Sequence, residues 1–567
     1  MGGRGGELTR LERYQCLELT TDPLPSVANP FDPSQLDVWG EFTDPRGVVS
    51  RVPAFFFQDY DRASVNGHER LTAQDTPVWK LRFTPTRVGR WSWRCTARTA
   101  SGEVLPGGHG QFVVTESNDP GFLRLSQRDH RYLAHDDGSP YFAIGENVAW
   151  YDAGGTFDYD SWFGRLRDQG ANYARLWMPT WAFALEAPGS PLGDYTQRLD
   201  RAWQLDYVFD LAQQSGLSLM LCLQNHGPFS LVFNSEWAQN PYNDANGGPL
   251  AQPQDFFTDP TARDLFRRRT RYCVARWSYA PQLLAWELWN EVDLTGGYDQ
   301  ATVASWHHDM AGYLRSLDPN QHLVTTSLSF YPSLTQSPTD GQIWDTADLD
   351  LTQVHRYTTL GDGIVLGDAD VSSDLPQWAD LMLTRHGRPT LVGEYGVNSQ
   401  SADITQTLDP TGIAFHDSLW SAALSGAFGT AMTWWWDTYI DATPDVLYPM
   451  IGALTRYLAD IPWDREGFIP TTASASGGNL AVHGLEGTTV RLLWVKNDNH
   501  QWNHPDPSTI TGATLDLGTP DDRPWRAEWW DTTSGAVIAT DMLPPNGISL
   551  PVPPFSGDIA LRLMRST

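Results

Sequence analysis

Strand and helix signals alternate across residues 122–462, and short strands without helical periodicity fill the stretches on either side. That pattern predicts a central parallel (β/α)8 barrel, a TIM barrel, flanked by N-terminal and C-terminal β-sandwich domains. Two further observations support it. A chain of 567 residues is too long for a single ordinary core. Two stretches, Trp286-Glu287-Leu288-Trp289-Asn290-Glu291 and Leu391-Val392-Gly393-Glu394-Tyr395-Gly396, each close an apolar strand-like run on a glutamate, 103 positions apart. A barrel of about 250 residues spends roughly 31 residues per βα unit, so that gap corresponds to about three units, as between a fourth and a seventh strand.

The expected domains are 10–118, 119–462 and 463–567. In the first, alternating segments at 54–57, 78–83, 89–95 and 110–114 are separated by proline and glycine turns at sandwich spacing. The turn formers Ser117-Asn118-Asp119-Pro120-Gly121 then read as a linker. Barrel strands are expected at 141–147, 171–178, 217–224, 283–290, 323–328, 351–357, 390–394 and 429–436. Helical periodicity falls between them at 199–215, 261–277, 301–317, 375–386 and 412–424. Residues 227–259, rich in Asn, Pro and Gly, read as a long loop after the third strand, on the face where barrel chemistry occurs. After Pro462 short strands resume at 480–482, 490–495, 525–530 and 559–561.

Composition narrows the function. A formal charge of -29 repels phosphate backbones and anionic lipid, so neither a nucleic-acid nor a membrane partner is expected. Aromatic residues make up 12% of the chain, with 26 tryptophans, which fits surfaces that stack on flat apolar faces such as sugar rings, or large cores. Cys16, Cys95, Cys222 and Cys273 are scattered and form no CxxC pair, so they read as reduced thiols. No apolar signal segment follows Met1 and no run is long enough to span a bilayer, so a cytoplasmic location is the expectation. Phosphate-binding, nucleophile-elbow and HExxH motifs are all missing, and His307-His308 are adjacent on a helix, which makes a poor metal pair. No cofactor or metal is therefore expected. The flanking sandwiches leave a homo-oligomer open.

Retaining hydrolysis of a glycosidic bond needs one protonated carboxyl and one ionised carboxylate about 5 to 5.5 Å apart. Glu291 and Glu394, both at the carboxyl ends of barrel strands, fit that requirement. Burial beside a second carboxylate and tryptophan would raise the pKa of Glu291. Trp289-Asn290-Glu291 closing the fourth strand, Glu394 closing the seventh, His355-x-Tyr357 on the sixth and tryptophans on the eighth resemble the clan-A retaining glycoside hydrolases. The nearest type is family 5, that of cellulases and mannanases.

The resemblance implies Glu291 as acid/base, Glu394 as nucleophile and Asn290 as hydrogen-bond partner of the sugar 2-hydroxyl. It also implies that His355 and Tyr357 line the reaction subsite and that a strand-eight tryptophan forms the stacking platform. Arg175 matches the position of the family's arginine near the nucleophile; the alternative is an ion pair with Glu287, which shares inward parity with Glu291. The N-terminal region, with Val88-Gly89-Arg90-Trp91, resembles a β domain of unknown function that precedes such barrels.

Other positions are read from the residues. His226, ending the third strand, either donates to a hydroxyl, tunes the acid or caps a loop. Glu146, ending the first strand, reads as a hydroxyl-binding residue for the non-reducing end and as the main rival for a catalytic carboxylate. Alternation places Trp434 and Trp436 on one side, with Trp436 expected as platform unless it packs in the core.

The leading expectation is a retaining glycosidase acting on a β-linked neutral oligosaccharide, exo-acting if cytoplasmic. The alternatives are a non-catalytic glycan-binding barrel, or the same mechanism directed to furanosides or to transglycosylation.

Overall fold

The computed structural model describes residues 9–329, 342–346, 348–359, 370–518 and 522–565. Two sheets pack face to face at the N-terminus. One has five strands in the order Thr9–Glu12, Val104–Thr115, Gly89–Thr99, Leu36–Thr43, Val49–Pro53; the other has three, in the order Leu17–Thr20, His68–Phe83, Phe55–Val65. Phe42 and Phe83 stack across the gap at 4.1 Å, within a core that includes Leu36, Val38, Leu81 and Phe112.

The expected segments 54–57 and 78–83 are only the roots of a longer hairpin, Phe55–Val65 and His68–Phe83. Its turn is Asn66-Gly67, with φ of 52° and 79°, the left-handed pair that a two-residue hairpin turn requires. The outer half is polar because it lies on the helices of the barrel rather than in a sandwich core.

In the barrel, β1 (Gly145–Asn147), β2 (Tyr173–Trp177), β3 (Ser218–Cys222), β4 (Leu283–Glu287) and β5 (Leu323–Thr325) form one parallel sheet. Strands β6 (Thr352–Thr359) and β7 (Thr390–Asn398) pair in parallel. The Asp350 amide donates to the Val324 carbonyl at 2.8 Å, joining β5 to β6. The eighth position, around 429–433, pairs with β7 through Tyr395 and Thr433 and with the segment before β1 through Ala143 and Gly429. The ring therefore closes.

Surrounding it are α1 (Thr156–Asp168), α2 (Leu199–Ser215), α3 (Pro260–Trp277), α4 (Gln300–Leu317), α5 (Val371–His386), α6 (Ala402–Leu408), α7 (Ile413–Ala423) and α8 (Pro444–Tyr457). The expected first strand was too long at its start. Pro140–Tyr141 instead pairs antiparallel with Leu133–His135, in a small three-stranded sheet that precedes the barrel.

At the C-terminus a six-stranded antiparallel sheet shares a core with a three-stranded one through Leu493, Leu515, Trp529, Leu550 and Leu561. Both flanking regions are fastened to the barrel by buried charge. Asp206 of α2 accepts from Arg82 and Arg276 at 2.8 to 3.0 Å. Lys496 sits 3.1 Å from Asp417, and His416 meets Asp558 at 3.1 Å. All four cysteines are free. Among the described residues no helix is long and apolar enough to cross a membrane.

Candidate active site

The carboxyl ends of β2, β4, β6 and β7 converge on Arg175, a guanidinium with no exposed surface. Its Nε and Nη2 grip Glu287 bidentately at 2.7 and 2.8 Å. Its Nη1 donates to Glu394 at 2.8 Å and to Asn147 at 3.1 Å, and Nη2 donates to Asn290 at 2.7 Å. The two readings of Arg175 are thus one arrangement, since the Glu287 pair aims the fork at Glu394. The fixed fork geometry of arginine makes this possible.

Tyr357 donates its hydroxyl to the other oxygen of Glu394 at 2.8 Å. His355 Nδ1 lies 3.0 Å from Glu291 and 3.5 Å from Glu394, between the two carboxyl groups. His226 Nδ1 lies 3.3 Å from Glu291 and the same distance from Asn290 Nδ2. Oxygens of Glu291 and Glu394 lie within 4.8 Å of each other.

Glu291 follows β4 in a left-handed conformation, φ 50°, which is strained for a residue with a side chain. Its amide donates to Ser327 Oγ at 3.0 Å, which ties the bend to the segment after β5.

Burial pushes the Glu291 carboxyl up to about 8, with Asp293 adding to the effect. Burial also raises Glu394, against the pull of His355 and Arg175. His226 is lowered to about 4 by burial and by His355, and burial lowers His355 as well. Both imidazoles are therefore neutral near pH 7, and neither supplies a positive charge to Glu291. The arrangement places a protonated carboxyl beside a carboxylate that holds two strong donors.

Two expectations need correcting. Register pairs Gly145 with Tyr173 and Asn147 with Arg175, so Asn147 shares the inward face with Arg175 and Glu146 points the other way. Glu146 is buried against α8, where Tyr448 donates to it at 3.3 Å, and burial raises its pKa to about 8. Asn147 is the inward residue that sequence reasoning passed over; its amide donates to the carbonyls of Gly393 and Met432 at 3.1 and 2.8 Å.

Trp436 is 1% exposed and wedged against Trp150 and Trp162 of α1, so it presents no face to a sugar. Trp435 has φ 65° and ends the extended run, so alternation no longer applies beyond it. Trp434 leans on Trp177 at 4.9 Å, and Trp177 lies 5.4 Å from the Arg175 guanidinium. Trp434 thus joins the aromatic group beside Arg175. Half-buried Trp435, donating to the Asn398 carbonyl at 2.9 Å, also borders the β7 end. Also unforeseen was Asp293, which accepts from Ser329 N and Oγ at 2.8 and 2.6 Å.

The ligand atoms of Glu291, His355 and Glu394 are close enough to one another to hold a cation, as are those of His416, Asp417 and Asp558. The second group is already engaged by Lys496.

A buried acid beside an arginine-held carboxylate, at the carboxyl end of a β/α barrel, is the equipment of a glycosidase. Residues 135–435 match the model described as cellulase (glycosyl hydrolase family 5), and the chain belongs to that family. Residues 10–98 match a domain of unknown function, DUF5060.

Mannan endo-1,4-beta-mannosidase F of Aspergillus fumigatus is 24% identical over 434 residues, which cover 69% of this chain and 89% of that protein. Mannan endo-1,4-beta-mannosidase 1 of Oryza sativa subsp. japonica is 28% identical over 214 residues, or 34% of this chain; the chain spans about half, 47%, of that relative. A crystal structure from Bacteroides vulgatus, described provisionally as a glycoside hydrolase, superposes with a TM-score of 0.60 at 11% identity. It covers 98% of this chain and 100% of its own, a likeness of fold.

Proposed function

We propose that this chain is a retaining β-glycosidase that cleaves β-1,4-linked mannan-type chains, with 119–462 as its catalytic unit. The observation that carries the reading is the Glu291–Glu394 pair, whose oxygens come within 4.8 Å of each other, one group held protonated and the other gripped by Arg175 and Tyr357. Carboxyl oxygens no more than 4.8 Å apart are compatible with the spacing of about 5 to 5.5 Å for double displacement, whereas inverting pairs stand about 6.5 to 9.5 Å apart.

Glu394 attacks the anomeric carbon while Glu291 gives its proton to the departing oxygen, leaving a glycosyl ester on Glu394. The Glu291 carboxylate then takes a proton from water as that water attacks the same carbon, and Glu394 leaves. Arg175 and Tyr357 hold the nucleophile's oxygens, and Asn290 bonds the sugar 2-hydroxyl.

The substrate class rests on the names of the relatives and on the tryptophan-rich face. The same names favour an internal cut over the exo-action expected from sequence. The insertion 227–259 folds down as core at Phe229, Phe256 and Phe257, which pack on Trp289 at 5.2 to 5.3 Å, while its tip at Leu231, Val232 and Phe233 is exposed.

Wild type and Glu394→Ala assayed on β-1,4-mannan and mannooligosaccharides test the proposal, with NMR of the first-formed anomer. The β-anomer should appear first, and the variant should lose on the order of 10⁴-fold or more in kcat. Near-normal turnover in Glu394→Ala, or an α-anomer first, would overturn it.

A further inference from the structure

The tryptophans of the catalytic face form a graded series. Trp177, beside the Arg175 guanidinium, and Trp434, packed on it, are 4% and 7% exposed. Both contact half-buried Trp150, at 5.5 and 5.6 Å. Trp150 in turn packs edge-to-face on Trp181 at 5.1 Å, and Trp181 is 47% exposed. Exposure thus rises outward along a continuous run of indoles.

Ring order gives the run a direction. The fourth and eighth positions of an eight-membered ring are opposite, so Trp434, and with it Trp150 next to β1, lies across the barrel from Glu291. That is the side away from the departing sugar, where the part of the chain that stays on the nucleophile extends. An accessible indole face braced by an edge-on neighbour offers the apolar surface on which a pyranose ring stacks.

The inner member of this surface is held from another domain. Trp150 lies in the loop 148–155 between β1 and α1, and Gly155, the N-cap of α1, contributes no side-chain cap. Glu69, on the N-terminal hairpin, accepts from the Thr156 amide at 3.0 Å and also from Thr156 Oγ1 and Gln204 Nε2. It does the work of a capping residue across the domain boundary. His68 Nδ1 meets the Ala153 carbonyl at 3.1 Å, and Arg62 pairs with Asp160 and lies over the Phe157 ring at 3.5 Å. The loop that carries Trp150 is thus clamped by the domain of unknown function.

We propose that Trp150 and Trp181 form an additional binding position for a neutral β-linked sugar on the non-reducing side of the cleavage point, and that Glu69 positions its inner wall. The N-terminal domain is then a working part of the substrate-binding face. This rests on the glycosidase reading of the same face.

Wild type, Trp181→Ala, Glu69→Ala and Glu69→Gln are to be compared on a mannooligosaccharide series from the shortest cleaved chain upward. Trp181→Ala should lower kcat/KM about tenfold, through KM, on chains long enough to reach it. The shortest substrate should be unaffected. Glu69→Ala should reproduce the length dependence more weakly, with partial rescue by Glu69→Gln, which keeps an acceptor oxygen.

A loss equal at every length, or none, in Trp181→Ala overturns the binding position. A silent Glu69→Ala removes the role of the N-terminal domain. If wild type cleaves none of these glycans, the mannan-type reading of the site fails separately. Tryptophan-fluorescence titration with the same oligosaccharides then decides, since equal binding by wild type and Trp181→Ala overturns the position.

Discussion

Asp206 and Glu291 are both carboxyl groups buried near arginine, and their pKa values move in opposite directions. Burial by itself raises both. At Asp206 the guanidiniums of Arg276 and Arg82 override it and bring the carboxyl down to about 2. At Glu291 burial prevails, reinforced by Asp293, and the carboxyl rises to about 8, because Arg175 spends its donors on Glu287, Glu394, Asn147 and Asn290. The neighbours that do touch Glu291, His226 and His355, are held neutral. One site fastens the N-terminal domain to the barrel, and the other keeps a proton ready at neutral pH. Which cation points where separates a carboxylate held ionised from a carboxyl that keeps its proton.

The pH consequences follow with opposite sign. Asp206, with its folded pKa depressed, stabilises the fold above its unfolded value of about 3.9 and loses that contribution as pH falls toward about 2. Glu291, with its folded pKa raised, contributes fully below about 4.3, the unfolded value of a glutamate, and loses its contribution as pH rises through about 8.

The largest effect that would break the comparison is expected from Asp206→Ala. It leaves Arg82 and Arg276 buried without their shared carboxylate, and urea denaturation should show a loss of about 3–5 kcal/mol. A loss within the range of an exposed surface pair would mean that the seam is not what fastens the domain.

Next is Arg175→Lys, which keeps the charge but cannot span Glu287, Glu394 and Asn290 at once. We expect kcat to fall about 100-fold. Because Arg175 pulls the Glu394 pKa down, the acid limb of kcat/KM should also move to higher pH. An unmoved limb would show that Arg175 only aligns the nucleophile.

The smallest effect is that of Asp293→Asn. With the negative charge gone, the alkaline limb set by Glu291 should move below about 8, with little change at the optimum. No movement would assign the raised pKa to burial alone.

The two glutamates were legible in the chain because each closes an apolar run at a spacing that only whole βα units explain, and the structure brings their oxygens together. Helix α2 was equally legible: periodicity places it at 199–215, and it runs Leu199–Ser215. Both are local patterns, and burial on one face is all they require.

What the sequence left open depends on which residue comes to lie beside which. Choosing between Glu146 and Asn147 requires the register of β1 against β2, and a shift of one residue exchanges them. Choosing among Trp434, Trp435 and Trp436 requires the left-handed turn at Trp435. The polar outer half of the N-terminal hairpin carries no core signal of its own, since its partners are Thr156 and Gln204, on α1 and α2 of another domain. The sequence by itself determined the barrel and its two carboxyl groups, because hydrophobic periodicity and strand-end position are written along the chain. Only the tertiary structure decided which of Glu146 and Asn147 faces the Arg175 cluster and which tryptophans are exposed, because register, burial and exposure are set by neighbours distant in sequence.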